Sequence, residues 1–189
     1  MRKSVKQARS IVGTSPGRPK HDFYPTPTRA IEALLSVETF PDPILEPACG
    51  DGAISKVLVE HFYEVTSSDL IYRGFGNKGS IDFLGEYYKT WNGSIITNPP
   101  FRFAQQFAEK SLALGCKKLA LLCKLQFLEG IKRTEFLMGS PLKKTLVFRK
   151  RLKLCRNGNE QSIKGGGMMA FAWFIWEYDY VGNPTIGWL

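Results

Sequence analysis

Residues 44–61 read ILEPACGDGAISKVLVEH, and this stretch decides the predicted fold. The apolar run at 44–45 indicates a strand, and the GDG sequence at 50–52 indicates a tight turn. Apolar residues then recur at helical spacing, which predicts a helix over 53–61. A strand that turns directly into a helix is the repeating unit of a parallel α/β sheet.

The same unit recurs on both sides of this stretch. Strands are predicted over 63–66, 93–97 and 118–123, and helices over 28–35 and 103–114. Repeated strand–helix units predict an α/β fold with a Rossmann-like, doubly wound, mostly parallel sheet. In such sheets ligands bind at the carboxyl ends of the strands, so these ends are where a functional site is expected.

The last third of the chain has a different pattern. Residues 145–148 and 170–177 are β-like, and three glycines at 165–167 lie between them with no helical segment. They predict a C-terminal antiparallel hairpin at the edge of the sheet. The apolar run at 168–176 is only about half of the roughly 20 residues that a membrane span needs, so a buried strand is predicted there.

The charge balance favours a nucleic-acid partner. The chain has 189 residues, with 26 Lys and Arg against 17 Asp and Glu, and a net charge of +9. A surplus of this size on a small protein favours binding to a polyanion. Residues 1–21 contain six basic residues, no acidic residue and several helix-breaking glycines and prolines. They predict a flexible basic arm, followed by a single domain over 22–189.

A second basic stretch lies in or beside the predicted hairpin. Its side chains are expected to contact nucleic-acid phosphates, while a charged edge strand that resists aggregation would have the same composition. Sequence preference is expected from loops near 125–142 and 155–168, with Arg133 and Asn157 as candidates for base contacts. The basic residues of the stretch are Lys143, Lys144, Arg149, Lys150, Arg151, Lys153 and Arg156.

The cysteines and histidines do not form the pattern of a zinc site. Cys49, Cys116, Cys123 and Cys155 include no C-x-x-C pair, and only two histidines are present. Free thiols in a reducing cytosol are predicted, with no bound metal, no membrane partner and a cytoplasmic location.

Polar residues follow three of the predicted strands. Glu46, Asp69 and Asn98 are far apart in sequence, but the carboxyl ends of parallel strands meet at one edge, so these side chains should converge. Asp69 follows Asp51 by 18 residues, which is the expected distance for a carboxylate that accepts hydrogen bonds from ribose hydroxyls.

Asp82-Phe83 is predicted to lie at a further strand end. There Asp82 would accept a hydrogen bond from an adenine amino group, and Phe83 would lie beside the ring. A turn Asp next to a core Phe explains the pair equally well.

Asn98-Pro99-Pro100-Phe101 is the most informative segment. Two prolines cannot continue a central strand, so the chain must leave the sheet in an extended shape. That shape would present the Asn98 amide oxygen and the Pro99 carbonyl as two converging acceptors, which suits an amino group with two N–H donors. Phe101 would stack on the ring that carries the amine. A simple strand-ending turn is the alternative.

These segments resemble the class I methyltransferases that act on amino groups. Asn98-Pro99-Pro100-Phe101 is similar to their Asp/Ser/Asn-Pro-Pro-Tyr/Phe motif, and residues 46–52 resemble their cofactor loop, with Glu46 in place of Asp. Residues 22–27, DFYPTP, resemble the segment that closes over the cofactor in DNA adenine methyltransferases. The motif order is that of the gamma group, and small phage-type enzymes are most similar.

The resemblance implies S-adenosylmethionine as the cofactor. Asn98, Pro99, Pro100 and Phe101 would then be catalytic. The residues expected to bind the cofactor are Tyr24, Thr26, Glu46, Ala48, Cys49, Gly50, Asp51, Gly52, Asp69, Asp82, Phe83 and Asn98.

The implied reaction is methylation of the N6 amine of adenine in DNA. The target base would be flipped out or single-stranded, and Lys124 and Gln126 lie where it would pass. RNA adenine or guanine N2, cytosine N4 and a protein glutamine are alternative targets, and a catalytically silent nucleic-acid-binding relative is an alternative of another class. DNA is the preferred partner over RNA, the protein would be a monomer or homodimer, and no separate target-recognition domain is expected.

Overall fold

The computed structural model describes residues 23–154 and 169–189. Seven strands form one sheet in the order β2-β1-β3-β4-β6-β5-β7. The predicted Rossmann-like α/β class is confirmed, because β1 to β4 are parallel neighbours in this order. The strands are β1 (Ile44–Glu46), β2 (Val65–Ser67), β3 (Ser94–Thr97), β4 (Lys118–Lys124), β5 (Leu142–Val147), β6 (Phe171–Glu177) and β7 (Thr185–Trp188).

The described residues also contain four α-helices and two short 3-10 helices. The 3-10 helices are Phe101–Phe103 and Leu125–Leu128. Three of the α-helices agree with the sequence prediction to within one residue at each end, whereas α4 was predicted as a loop. Its only buried residue is Leu137, so its sequence has no apolar stripe from which a helix could be predicted. The α-helices are α1 (Thr28–Leu35), α2 (Ala53–Glu60), α3 (Ala104–Ala113) and α4 (Ile131–Gly139).

The C-terminal strands pair as an antiparallel unit, but not at the edge of the sheet. β6 lies between β4 and β5 and is antiparallel to both. Its first six residues, Phe171 to Trp176, are all buried, which is typical of a central strand that is covered on both faces of the sheet. The edge is formed by β7, which pairs parallel to β5 and was not predicted.

The alternation of side chains along β6 divides the core into two clusters, one on each face of the sheet. Phe174 and Trp176 pack in the cluster that contains α3, and Trp173 and Ile175 pack in the cluster that contains α1 and α2. Trp173 also donates its indole N–H to the carbonyl of Ala30 at 2.9 Å, which fixes α1 against the sheet.

A paired charge cluster lies at the amino-terminal end of β4, where Lys118 is buried. Lys118 contacts Glu38 at 2.6 Å and Glu177 at 3.2 Å. Lys144 contacts Glu38 and Lys143 contacts Glu177, both at 2.6 Å. Burial opposes ionisation of Glu38, but hydrogen bonds from Lys118 and Lys144 outweigh it and lower its pKa. We call these five residues the paired charge cluster.

Among residues 23–154 and 169–189, no helix has both the length and the apolar character that crossing a membrane requires.

Candidate active site

A cavity of about 830 Å³ lies at the carboxyl ends of β1, β3 and β4. Its walls come from the segments that follow these strands, from the segment after β2 and from the chain entering α1. Glu46, Asp69 and Asn98 all line it, so the structure brings together the three strand-end residues that the sequence predicted to converge.

Glu46 is fully buried at the start of the loop between β1 and α2. Its carboxyl accepts hydrogen bonds from the Ser55 amide at 2.8 Å and from the Ser55 hydroxyl. The Ser55 hydroxyl is also 2.6 Å from that of Ser67 in β2. Burial raises the pKa of Glu46 to about 8. Glu46 therefore links β1 to the first turn of α2 and so shapes the loop. Ser55 was not singled out from the sequence, because a Ser in a helical stretch has no pattern of its own.

The loop turns at two glycines in the left-handed region. Gly50 has φ +57° and Gly52 has φ +84°, a conformation that favours glycine. A Cβ on Gly50 would clash with the Phe23 ring, and one on Gly52 would lie 2.5 Å from the Phe75 ring. The two glycines therefore lie beneath aromatic rings, and it is the Phe23 ring that lines the cavity.

Phe75 is a contact that the sequence analysis missed. It lies in the glycine-rich connection after β2, and the Lys56 ammonium is 5.3 Å from the centre of its ring. An isolated aromatic residue between Gly74 and Gly76 was the available signal.

Asp69 is held by two backbone amides. One carboxylate oxygen accepts from the Gly50 N–H at 2.8 Å, and the other accepts from the Ile71 N–H at 2.9 Å. A carboxylate has about four acceptor sites, so each oxygen can take a further donor from the cavity. Nearby, Asp51 has a buried oxygen, Oδ1, with no hydrogen-bond partner among the described residues.

Asp82 and Phe83 line the cavity, but they follow a loop and do not lie at the end of a strand, contrary to the prediction. Asp82 is exposed and accepts from the Leu84 amide at 3.0 Å within a turn. Phe83 is 2% exposed and packs on Phe107, with ring centres 4.9 Å apart. Consequently Phe83 can offer only a small part of its ring to a ligand.

Asn98 is oriented by the segment that precedes α1. Its amide nitrogen donates to the Tyr24 carbonyl at 3.2 Å and to the Thr26 hydroxyl at 3.1 Å. The Tyr24 carbonyl can only accept, so it fixes which end of the amide faces the cavity. The Asn98 oxygen is buried and has no hydrogen-bond partner among the described residues. It is therefore an oriented acceptor in the cavity wall.

The two prolines lead from β3 into a 3-10 helix, where Phe101 forms part of the cavity wall. The Phe103 amide donates to the Pro100 carbonyl at 2.7 Å, which turns the chain after the extended segment. The Phe101 ring centre is 5.6 Å from that of Phe171, and the Lys124 ammonium is 5.2 Å away.

The end of β4 and the segment after it complete the wall. Lys124, Gln126, Phe127 and Arg133 line the cavity. Phe127 was missed because it reads as an ordinary core residue. Residue 22 of the closing segment, the predicted arm over 1–21, the loop over 155–168 and Asn157 lie outside the described residues.

The structure divides the second basic stretch between the two ends of the sheet. Lys143 and Lys144 belong to the paired charge cluster, at the end opposite the cavity. Arg149, Lys150, Arg151 and Lys153 are exposed and follow β5 at the cavity end, since Val147 pairs with Ala172 and Ala172 with Cys123 of the cavity wall. Arg156 lies outside the described residues.

No family model and no curated protein matches the chain. Solved structures do match it. A modification subunit assigned to a type I restriction enzyme from Vibrio vulnificus has a TM-score of 0.57 at 14% identity over 86% of this chain, which spans 45% of that chain. A protein assigned as an RNA methyltransferase from Pyrococcus horikoshii has a TM-score of 0.53 at 11% identity, covering 79% of this chain and 80% of its own.

The 23S rRNA methyltransferase ErmE is a third match, with a TM-score of 0.52 at 16% identity over 83% of this chain and 68% of its own. At these identities the likeness establishes the fold. The chain therefore has the Rossmann-like fold of these proteins, as the resemblance to class I methyltransferases predicted.

Proposed function

We propose that this protein transfers a methyl group from S-adenosylmethionine to the exocyclic N6 amine of adenine in DNA. The observation that carries the proposal is the Asn98 side chain. Its nitrogen is anchored by Tyr24 and Thr26, and its oxygen is a buried acceptor without a partner among the described residues. An unsatisfied buried acceptor is costly, so its presence in a cavity wall favours a ligand that donates a hydrogen bond.

The cavity fits a nucleoside cofactor. Asp69 has remaining acceptor capacity for ribose hydroxyls. Asp51, whose buried oxygen has no partner among the described residues, lies in the same wall. A volume of about 830 Å³ lies in the range of cofactor sites and leaves space for a target base. When bound there, S-adenosylmethionine supplies a methyl group that its sulfonium already activates, so the protein needs no nucleophile of its own.

The chain's own residues would orient the target amine. Asn98 Oδ1 and the Pro99 carbonyl would each accept one N–H of the amine, which favours a pyramidal nitrogen with its lone pair available. The rate gain would come from orientation and fixed dipoles, and the proton lost after transfer would pass to water. Phe101 would stack on the adenine ring, with the Lys124 ammonium beside it.

Access to this cavity requires an unpaired base. Adenine inside a duplex cannot reach Asn98, so the base would be flipped out or supplied in a single strand. The four basic residues at the cavity end, Arg149, Lys150, Arg151 and Lys153, are exposed and suited to backbone phosphates. The net charge of +9 supports the same partner.

RNA adenine is the second candidate substrate. Two of the three structural matches described above are assigned as RNA methyltransferases. The acceptors of Asn98 and Pro99 would serve the same amine in either nucleic acid, so the substrate must be tested directly.

The test is methyl transfer from radiolabelled S-adenosylmethionine to duplex DNA, single-stranded DNA, total RNA and a protein extract. Nucleosides from digested substrate are identified by mass spectrometry. We expect N6-methyladenine from DNA, and a loss of about 100-fold or more in Asn98→Ala. Asn92→Ala, an exposed position just before β3, is the matched control and should be fully active. Label only in RNA would select the second candidate, and label only in protein would reject both.

A further inference from the structure

A second, smaller cavity opens next to the first. It measures about 300 Å³ and shares Phe101, Arg102 and Arg133 with the main cavity. Its far wall is formed by Gln105, Gln106 and Glu109 of α3. The two cavities therefore meet at Phe101 and at two arginines.

Arg133 is fixed by backbone carbonyls and keeps further N–H donors that these contacts do not use. One terminal nitrogen of its guanidinium donates to the carbonyls of Gln126 at 3.1 Å and Glu129 at 3.3 Å. The guanidinium also lies 5.0 Å from the centre of the Phe127 ring. Within residues 23–154 and 169–189, its Nε is buried without a hydrogen-bond partner and the guanidinium forms no ion pair. Because a partly buried charge without a counterion is unfavourable, this position favours an anion.

Arg102 adds a second positive charge at the same boundary. It is exposed, and its guanidinium lies 4.4 Å from the centre of the Phe103 ring. The negative charge of the second cavity is on the far wall, where Glu109 accepts from the Gln105 amide at 2.9 Å. An anion would thus be attracted to the boundary and repelled from the far wall, whose amides and carboxylate suit the polar edge of a base.

From this arrangement we propose that Arg102 and Arg133 bind the phosphodiester next to the target adenosine, and that the second cavity holds the neighbouring nucleotide. The assignment rests on the proposed function. It makes Arg133 a positioning residue that holds the nucleic-acid backbone, rather than the base-contacting residue that the sequence suggested. Guanidinium groups suit this role because their planar N–H donors match phosphate oxygens.

The test uses fluorescent single-stranded oligonucleotides that contain one adenine. Either flanking linkage is replaced in turn by a neutral methylphosphonate, and binding to the full-length protein is measured by anisotropy. For wild type we expect one of the two replacements to weaken binding about tenfold. Arg133→Gln should bind the normal oligonucleotide about tenfold more weakly and should no longer distinguish the two linkages, while Arg133→Lys should recover part of the difference.

Lys132→Gln is the matched control, because it removes the same charge from the adjacent, exposed position outside both cavities. It should keep the full effect of the neutral linkage. The phosphate site is rejected if wild type tolerates both replacements, or if Arg133→Gln and Arg133→Lys discriminate as wild type does. Linkage-dependent binding without methyl transfer to any nucleic acid would keep the phosphate site and reject the proposed function. Methyl transfer without linkage-dependent binding would keep the proposed function and reject the phosphate site.

Discussion

The two ends of the sheet use polar groups in opposite ways. At the amino-terminal end, every member of the paired charge cluster has an opposite charge within 3.2 Å. At the carboxyl end, Asp51 and Asn98 each keep a buried oxygen without a partner among the described residues. Both ends contain buried polar atoms, but within the described part of the chain the unsatisfied ones lie at the carboxyl end.

This difference distinguishes the polar groups that stabilise the fold from those that are available to a ligand. Polar groups that satisfy one another contribute to the fold and leave nothing for a ligand, whereas unsatisfied groups cost folding free energy that a ligand can offset. Substitutions at the amino-terminal end should therefore change stability and leave ligand binding unchanged. Substitutions of the unsatisfied groups at the carboxyl end, Asp51 and Asn98, should weaken ligand binding without lowering stability.

The largest effect on stability is expected from Lys118→Met. The substitution leaves Glu38 buried with Lys144 as its remaining ion-pair partner, and it removes the hydrogen bond to the Thr39 carbonyl at 2.9 Å. We expect the free energy of unfolding to fall by about 3 kcal/mol, as for other broken buried pairs. Urea denaturation measures the change. Lys117→Met, at the exposed neighbouring position, should be close to wild type.

The affinity of Lys118→Met for S-adenosylmethionine, measured by calorimetry under folding conditions, should stay unchanged. A large loss of cofactor affinity without a loss of stability would mean that the two ends are coupled. The amino-terminal end could then not be assigned to stability alone.

A smaller effect on stability, together with weaker cofactor binding, is expected from Gly52→Ala at the carboxyl end. Here the new Cβ meets the Phe75 ring at 2.5 Å, and the backbone has φ +84°. Gly74→Ala is the control for backbone strain alone, because Gly74 has φ +91° with nothing within 4 Å. Both should lose about 1 kcal/mol of stability from the left-handed conformation. Only Gly52→Ala should also weaken cofactor binding, because it displaces a ring that covers the loop. Equal cofactor affinities in calorimetry would contradict this role of Phe75.

The carboxyl end was the more predictable of the two ends. Glu46, Asp69 and Asn98 could be placed together because each follows a predicted parallel strand, and such strands all end at one edge. The contacts that orient them were not predictable in the same way. Ser55 on Glu46 and the Phe75 ring on Gly52 depend on how separate segments pack. Ser55 has no sequence pattern of its own, and the glycines that flank Phe75 do not indicate which residue its ring covers.

The amino-terminal end shows why a charge pattern alone misleads. Lys143 and Lys144 fall in the same basic stretch as Arg149 and Lys150, so the sequence assigned all of them to nucleic acid. β5 separates them by the length of the strand, which brings the two lysines next to Glu38 and Glu177. Those partners are distant in sequence, and the same long-range effect places β6 inside the sheet rather than at its edge.

The two ends should also respond to pH in opposite directions. The pKa of Glu38 is lowered in the folded protein, so its contribution to stability is present above the ordinary value of 4.5 and is lost as the pH falls. The pKa of Glu46 is raised to about 8, so its contribution is full below 4.5 and is lost as the pH rises from 4.5 towards 8.

Two neutral variants separate these contributions. Relative to wild type, Glu46→Gln should gain stability at pH 8 compared with pH 5, and Glu38→Gln should be less stable at both values. Thermal denaturation across this range measures both. If Glu46→Gln followed the wild-type profile in parallel, Glu46 would not be the titrating group.

The smallest effect is expected when a single exposed lysine is replaced and DNA binding is measured. Lys150 follows β5 at the cavity end. Lys144 lies in the first half of the same strand and forms a 2.6 Å ion pair with Glu38. If Lys150 contacts a phosphate, Lys150→Gln should reduce the slope of log affinity against log salt by about 0.9 on duplex DNA. Lys144→Gln removes the same charge and should leave the slope unchanged while lowering the free energy of unfolding. Because both variants have the same net charge, a general electrostatic effect would lower the two slopes equally, and only a localised contact at the cavity end would separate them.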